Sequence, residues 1–154
     1  MESDGVVGYL SESYGAVAES VGGARSAVTD FAAGAGLEGE QLERVRLVVS
    51  EAVTNAVRHA YAHEPGTIHV MAAVAGGELW VLVVDQGRGL GAATPNPGLG
   101  LGLKIMESMS DGFMLAERAA GGLEARLQFT LPLAGARGRD GHCRGSVASA
   151  TSPA

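Results

Sequence analysis

SEAVTNAVRHAY, residues 50–61, is the stretch whose reading decides the fold. Laid on a helix, Glu51, Asn55 and His59 form one polar stripe, while Val48, Val49, Ala52, Val53, Ala56 and Val57 supply an apolar face. A carboxylate and a carboxamide one turn apart can hold a hydroxyl and a divalent cation side by side. The same stripe would equally serve an ordinary amphipathic helix whose polar side faces solvent. The flanking sequence has to choose between the two.

Upstream, Leu42, Val45, Val49, Ala52, Val53 and Ala56 keep the helical period, which predicts one helix from near Glu40 to about Ala60. Before it, Val21, Ala24, Val28 and Phe31 predict another, capped by Ser20, running through about Ala33 and stopped by Gly34 and Gly36. Glu12–Val17 reads as an edge strand. Downstream, Pro65-Gly66 breaks the chain, and Ile68, Val70, Ala72 and Val74 alternate as a half-buried strand does. Gly76-Gly77 is a hairpin signal, so Glu78–Val84 (ELWVLVV) should return antiparallel to it.

That strand runs into Asp85-Gln86-Gly87-Arg88-Gly89-Leu90, a polar, glycine-rich turn. After a loop over 91–97, Gly98-Leu99-Gly100-Leu101-Gly102-Leu103 leads into a helix reaching Ser110, with Leu103, Ile105, Met106 and Met109 turned to the core. Glycines in alternation expose backbone N–H groups at a helix start, an arrangement that suits phosphate. Phe113–Glu117, a turn at Gly121-Gly122, and the face Leu123, Ala125, Leu127, Phe129 and Leu131 complete the pattern as two strands, closed by Pro132.

A chain of 154 residues is the size of one domain and can bury a real core. The expected division is an N-terminal segment over 1–11, a folded domain over 12–133 and a tail over 134–154 without periodic apolar residues. No apolar run approaches the ~20 residues of a membrane span, and MESDGVVGYL lacks the basic start and apolar core of a signal peptide. A cytoplasmic protein without membrane contact is expected. The net charge of −6, with no basic cluster, argues against direct contact with nucleic acid. Cys143 has no second cysteine, and His59 with His63 has no third ligand, so neither defines a metal site.

Each motif alone is weak. Asp-x-Gly-x-Gly also describes a simple turn, and no strand directly precedes Gly98 as a dinucleotide fingerprint requires. Together and in order, SEAVTNAVRHAY, DQGRGL and GLGLGLKIMESMSD resemble the ATP-binding (GHKL, Bergerat) fold shared by gyrase, heat-shock chaperones, histidine kinases and mismatch-repair ATPases. Within that superfamily the wording is similar to the anti-sigma-factor serine/threonine kinases of the RsbW type, over roughly residues 12–133. The resemblance implies an α/β two-layer sandwich, with a mixed, mostly antiparallel sheet carrying about three helices on one face.

It also implies ATP and Mg²⁺, and a role for each matching residue. Glu51 would be the general base and Asn55 the Mg²⁺ ligand. Asp85 would accept from the adenine amino group, with Gly87 and Gly89 giving backbone space beside the base. Gly98, Gly100 and Gly102 would let main-chain N–H groups approach the phosphates. The chemistry of the side chains agrees: an ionised carboxylate only accepts hydrogen bonds, and an amide oxygen is a hard ligand suited to Mg²⁺. The implied partners are an anti-sigma-factor antagonist as substrate and a sigma factor, with a homodimer by analogy. One departure is that 91–97 holds no Lys or Arg and Thr94 is its only hydroxyl, so a cation for the γ-phosphate would come from Arg88, Lys104 or a partner. Two other readings stand beside this one: a nucleotide-sensing binding module without phosphotransfer, and an isolated histidine-kinase catalytic domain. Against the latter, no histidine precedes the motif helix.

Overall fold

Gly76 and Gly77 adopt φ of +60° and +76°, the left-handed pair that a tight two-residue hairpin requires. The hairpin joins β2 (Thr67–Ala75) to β3 (Glu78–Asp85) in the register Ala75 opposite Glu78 through Ile68 opposite Asp85. The computed structural model describes residues 8–59, 66–87 and 99–132. Around this hairpin it places β1 (Gly8–Gly15), α1 (Glu19–Gly34), α2 (Gly39–His59), α3 (Leu99–Met109), β4 (Gly112–Glu117) and β5 (Leu123–Thr130).

The five strands form one sheet in the order β1-β2-β3-β5-β4, and every ladder in it is antiparallel. The expected mixed sheet is therefore corrected to an antiparallel one among the described residues. Alternation decides which face is covered: Ile68, Val70, Ala72, Leu79, Val81, Val83, Ala125, Leu127 and Phe129 are buried. The helices lie over that face, giving an α+β two-layer sandwich with three helices.

The central helix is α2. Val45, Val48, Val49, Ala52, Val53 and Ala56 are buried along it at helical spacing, and each fully buried valine contributes about 1.5–3 kcal/mol of transfer free energy. α1 ends as its glycines predict. Gly36 takes φ +103°, Leu37 N–H bonds to Ala32 O and Gly36 N–H to Ala33 O, and Leu37 is buried against the helix it closes.

Three local expectations are corrected. β1 occupies Gly8–Gly15 rather than 12–17, because it pairs along the whole of β2; its inward positions include Gly8 and Glu12, which hide the alternation. Ser20 is not a cap: α1 starts at Glu19 after Ala18, with no side-chain cap, and Ser20 N–H bonds to Val17 O inside the first turn. Met109 is 39% exposed, whereas Met106, one turn earlier, is the α3 side chain that reaches the core. No helix among the described residues is long and apolar enough to cross a membrane.

Candidate functional site

Burial of Ala52, Val53 and Ala56 leaves Glu51 and Asn55 half-buried on the flank of α2, where both face α3. They meet α3 at Gly102, which is buried in its first turn. A Cβ on Gly102 would lie 3.1 Å from Asn55 Nδ2, 3.3 Å from Asn55 Oδ1 and 3.2 Å from Glu51 Oε2. Three polar atoms thus surround one point that only a glycine leaves open.

Asn55 Nδ2 is buried and has no hydrogen-bond partner among the described residues. Such an unmade bond costs about 1–3 kcal/mol, so the group is held ready for something other than the fold. Beside it lies the first turn of α3, the positive dipole end of a helix, with no acidic residue in it. Anions are favoured there.

The second half of the site is at the end of β3. Asp85 is 5% exposed, and its Oδ1 accepts from Gly87 N–H at 3.0 Å and from Leu123 N–H at 3.2 Å. Burial raises the Asp85 pKa above the ordinary 3.8; the two backbone hydrogen bonds and the charge of Arg118 oppose the rise without cancelling it. Gly122 closes the turn between β4 and β5 onto this strand end. Its φ is +91°, and a Cβ there would fall 2.0 Å from Asp85 O.

Topology brings the two halves to one end of the sandwich. α2 stops at His59, and β2 begins at Thr67 with Ile68 directly opposite Asp85. Gly100 lies with Gly102 in the first turn of α3, and Gly87 follows Asp85. Gly89 and Gly98 lie outside the described residues, as do Arg88, Thr94 and the rest of 91–97, His63, and the tail with Cys143. Lys104 is exposed on α3. What sequence reasoning missed is Gly122 and the Leu123 N–H: Gly121-Gly122 signals a turn, but nothing in it signals contact with Asp85.

Among the described residues no three His, Cys, Asp or Glu side chains gather as a metal site. A cation beside Asn55 would have to draw most of its ligands from water and phosphate, which is the habit of Mg²⁺. Asn55 Oδ1 and Glu51 Oε2, which flank the same point at Gly102, are oxygen donors of the kind that fits such an ion. A groove at the opposite end, between Gln41, Arg44, Met109 and Pro132, offers no comparable chemistry; its carboxylate, Asp111, is engaged by Thr130 N–H at 2.7 Å.

An antiparallel sheet under three helices, with a carboxylate–amide pair facing a glycine-rich helix start and a buried aspartate at a strand end, defines a nucleotide-binding class. Residues 15–129 match the family model of the histidine kinase-like ATPase domain, and the chain belongs to that family. It is 36% identical over 67 residues to an anti-sigma F factor of Thermoanaerobacter sp. (strain X514), covering 44% of this chain and 47% of that protein. It is 33% identical over 82 residues to an anti-sigma F factor of Shouchella clausii (strain KSM-K16), covering 53% of this chain and 56% of that protein. The match thus spans about half the length of the curated relatives. Among solved structures, it resembles the RsbU and RsbW domains of a Mycobacterium tuberculosis protein with a TM-score of 0.64 at 26% identity, over 81% of this chain and 33% of that one.

Proposed function

We propose that this chain is an ATP- and Mg²⁺-dependent serine/threonine protein kinase of the anti-sigma-factor type, which phosphorylates an antagonist protein and sequesters a sigma factor. The observation that carries the reading is the convergence of Glu51 and Asn55 on the open point at Gly102, beside a helix N-terminus. The similarity to anti-sigma F factors supports the choice of partners.

In this reading Asp85 accepts from the adenine amino group, and Gly87 and Gly89 leave room for the base. The N–H groups around Gly98, Gly100 and Gly102 receive the phosphates. Asn55 Oδ1 would hold Mg²⁺, which would supply charge neutralisation for the phosphates. Glu51 takes the proton of the incoming serine or threonine hydroxyl as its oxygen bonds to the γ-phosphorus. The bond from that phosphorus to the bridging oxygen breaks, and ADP leaves with the electron pair. The folded unit responsible starts with β1 at Gly8, four residues before the expected boundary at 12, and includes all five strands; it acts in the cytoplasm, and two copies associate.

A transfer assay with labelled ATP, Mg²⁺ and candidate antagonist proteins tests this. Glu51→Ala is expected to keep nucleotide binding and to lose transfer by roughly 10²–10⁴-fold. Asn55→Ala should lose the Mg²⁺ dependence of binding. Undiminished transfer by Glu51→Ala overturns the base assignment, and a wild type that does not bind ATP overturns the whole reading. Tight ATP binding with no transfer to any antagonist would leave a nucleotide-sensing binding module.

A further inference from the structure

A buried aspartate offers two oxygens to whatever enters its site, and little in its own side chain decides between them, because its terminal torsion is broad and two-fold. Gly87 N–H, only two residues on, can follow either oxygen as the carboxylate turns. Leu123 N–H cannot. It belongs to a different strand, 38 residues away in sequence, and it reaches the same Oδ1 as Gly87 does.

The position of that N–H is set by Gly122. Both Gly121 and Gly122 carry positive φ, +97° and +91°, so both satisfy the turn. Only one of them touches the site: a Cβ on Gly121 would meet nothing within 4 Å, whereas one on Gly122 would lie 2.0 Å from Asp85 O and 2.7 Å from Gln86 Cα. A turn glycine required by conformation alone would look like Gly121. Gly122 is required by contact as well, and that contact brings the next residue's N–H onto the carboxylate.

We propose that the β4–β5 turn, through Gly122 and the Leu123 N–H, is the positioning element for base selection: it occupies Oδ1 and so presents Oδ2 of Asp85 as the acceptor for an exocyclic amino group. The inference rests on the nucleotide reading given above and adds that discrimination between a 6-amino and a 6-oxo purine is set from this turn, outside the motifs that carry the resemblance. The turn acts through Asp85 and touches no reacting atom.

The test uses the full chain and compares Kd for ATP and ITP, which differ in that amino group. Replacing the Gly122–Leu123 peptide bond by an ester, with the α-hydroxy analogue of leucine at 123, removes the one donor and keeps the side chain. Wild type should prefer ATP, and the ester should lower ATP affinity by about tenfold, the scale of one hydrogen bond to a charged group, with little change for ITP. Gly122→Ala should likewise collapse the ATP-to-ITP ratio, while Gly121→Ala, which strains the same turn without the contact, should leave it intact. If Gly122→Ala does not fold, the ester decides. A wild type that binds neither nucleotide, or binds both alike, overturns the nucleotide reading or its base selection at Asp85, and this proposal with it. A wild type that prefers ATP, with an ester that prefers it equally, overturns the proposal alone; so does an ester that weakens both nucleotides equally, which would mark the turn as merely structural.

Discussion

At the scale of single residues, Asp85 carries a cost to stability that comes from its burial. Its pKa is raised by burial, so between 3.8 and its higher folded value the native state holds a proton that the unfolded chain has already released. Stability is therefore fullest below that window and falls as pH rises through it, with the cost fully present above. Asp85→Asn is expected to abolish this slope in urea unfolding measured against pH. At neutral pH the same variant should not be less stable, since the amide oxygen still accepts from Gly87 and Leu123. ATP affinity, measured by titration calorimetry, should nonetheless drop by roughly tenfold to a hundredfold, because an N–H₂ would face the adenine amino group. The sequence shows the aspartate plainly, at the end of an apolar strand before Gly87. It does not show the burial or the second donor, because these come from Gly122 and Leu123 on another strand.

At the scale of elements, legibility follows how regular each element's inward face is. α2 can be read almost to its ends because the six buried residues from Val45 to Ala56 keep the period without a break. β2 and β3 are equally plain, since the two glycines between them admit one hairpin. β1 and the start of α1 are obscure, with Gly8 and Glu12 on the strand's inner side and an uncapped helix whose nearest hydroxyl, Ser20, sits one residue inside. α3 is the instructive case. Its glycines at 100 and 102 each cost about 1 kcal/mol of helix propensity relative to alanine, yet the helix forms from Leu99. The sacrifice is explained at Gly102 by the crowding of Glu51 and Asn55 around its missing side chain. Gly102→Ala is accordingly expected to leave the melting temperature unchanged or higher, while displacing both α2 side chains by a few tenths of an ångström or more. Phosphotransfer should fall by about a hundredfold, the scale on which small misplacements of reacting groups are felt.

At the scale of the whole molecule, the order β1-β2-β3-β5-β4 separates ladders that close locally from ladders that do not. β2–β3 and β4–β5 are hairpins, and such units form in about 1–10 μs. The β3–β5 ladder must wait for everything between Asp85 and Leu123, including α3, and pairings of that kind dominate folding times. Leu123, the partner that holds the Asp85 carboxylate from another strand, sits at the far end of this ladder, next to the pair Val84–Glu124. Pulse-labelled hydrogen exchange during refolding should therefore protect the amides flanking Gly76-Gly77 well before that of Leu123, with ATP binding appearing only in the later phase. The same order applies on the ribosome. A nascent chain that has emitted α2, the β2–β3 hairpin and α3 already carries Glu51, Asn55, Asp85 and Gly102, yet it has no β5 to complete the pocket. Nucleotide occupancy would then report that synthesis has passed Thr130, and a cell would never hold a half-made copy competent to spend ATP.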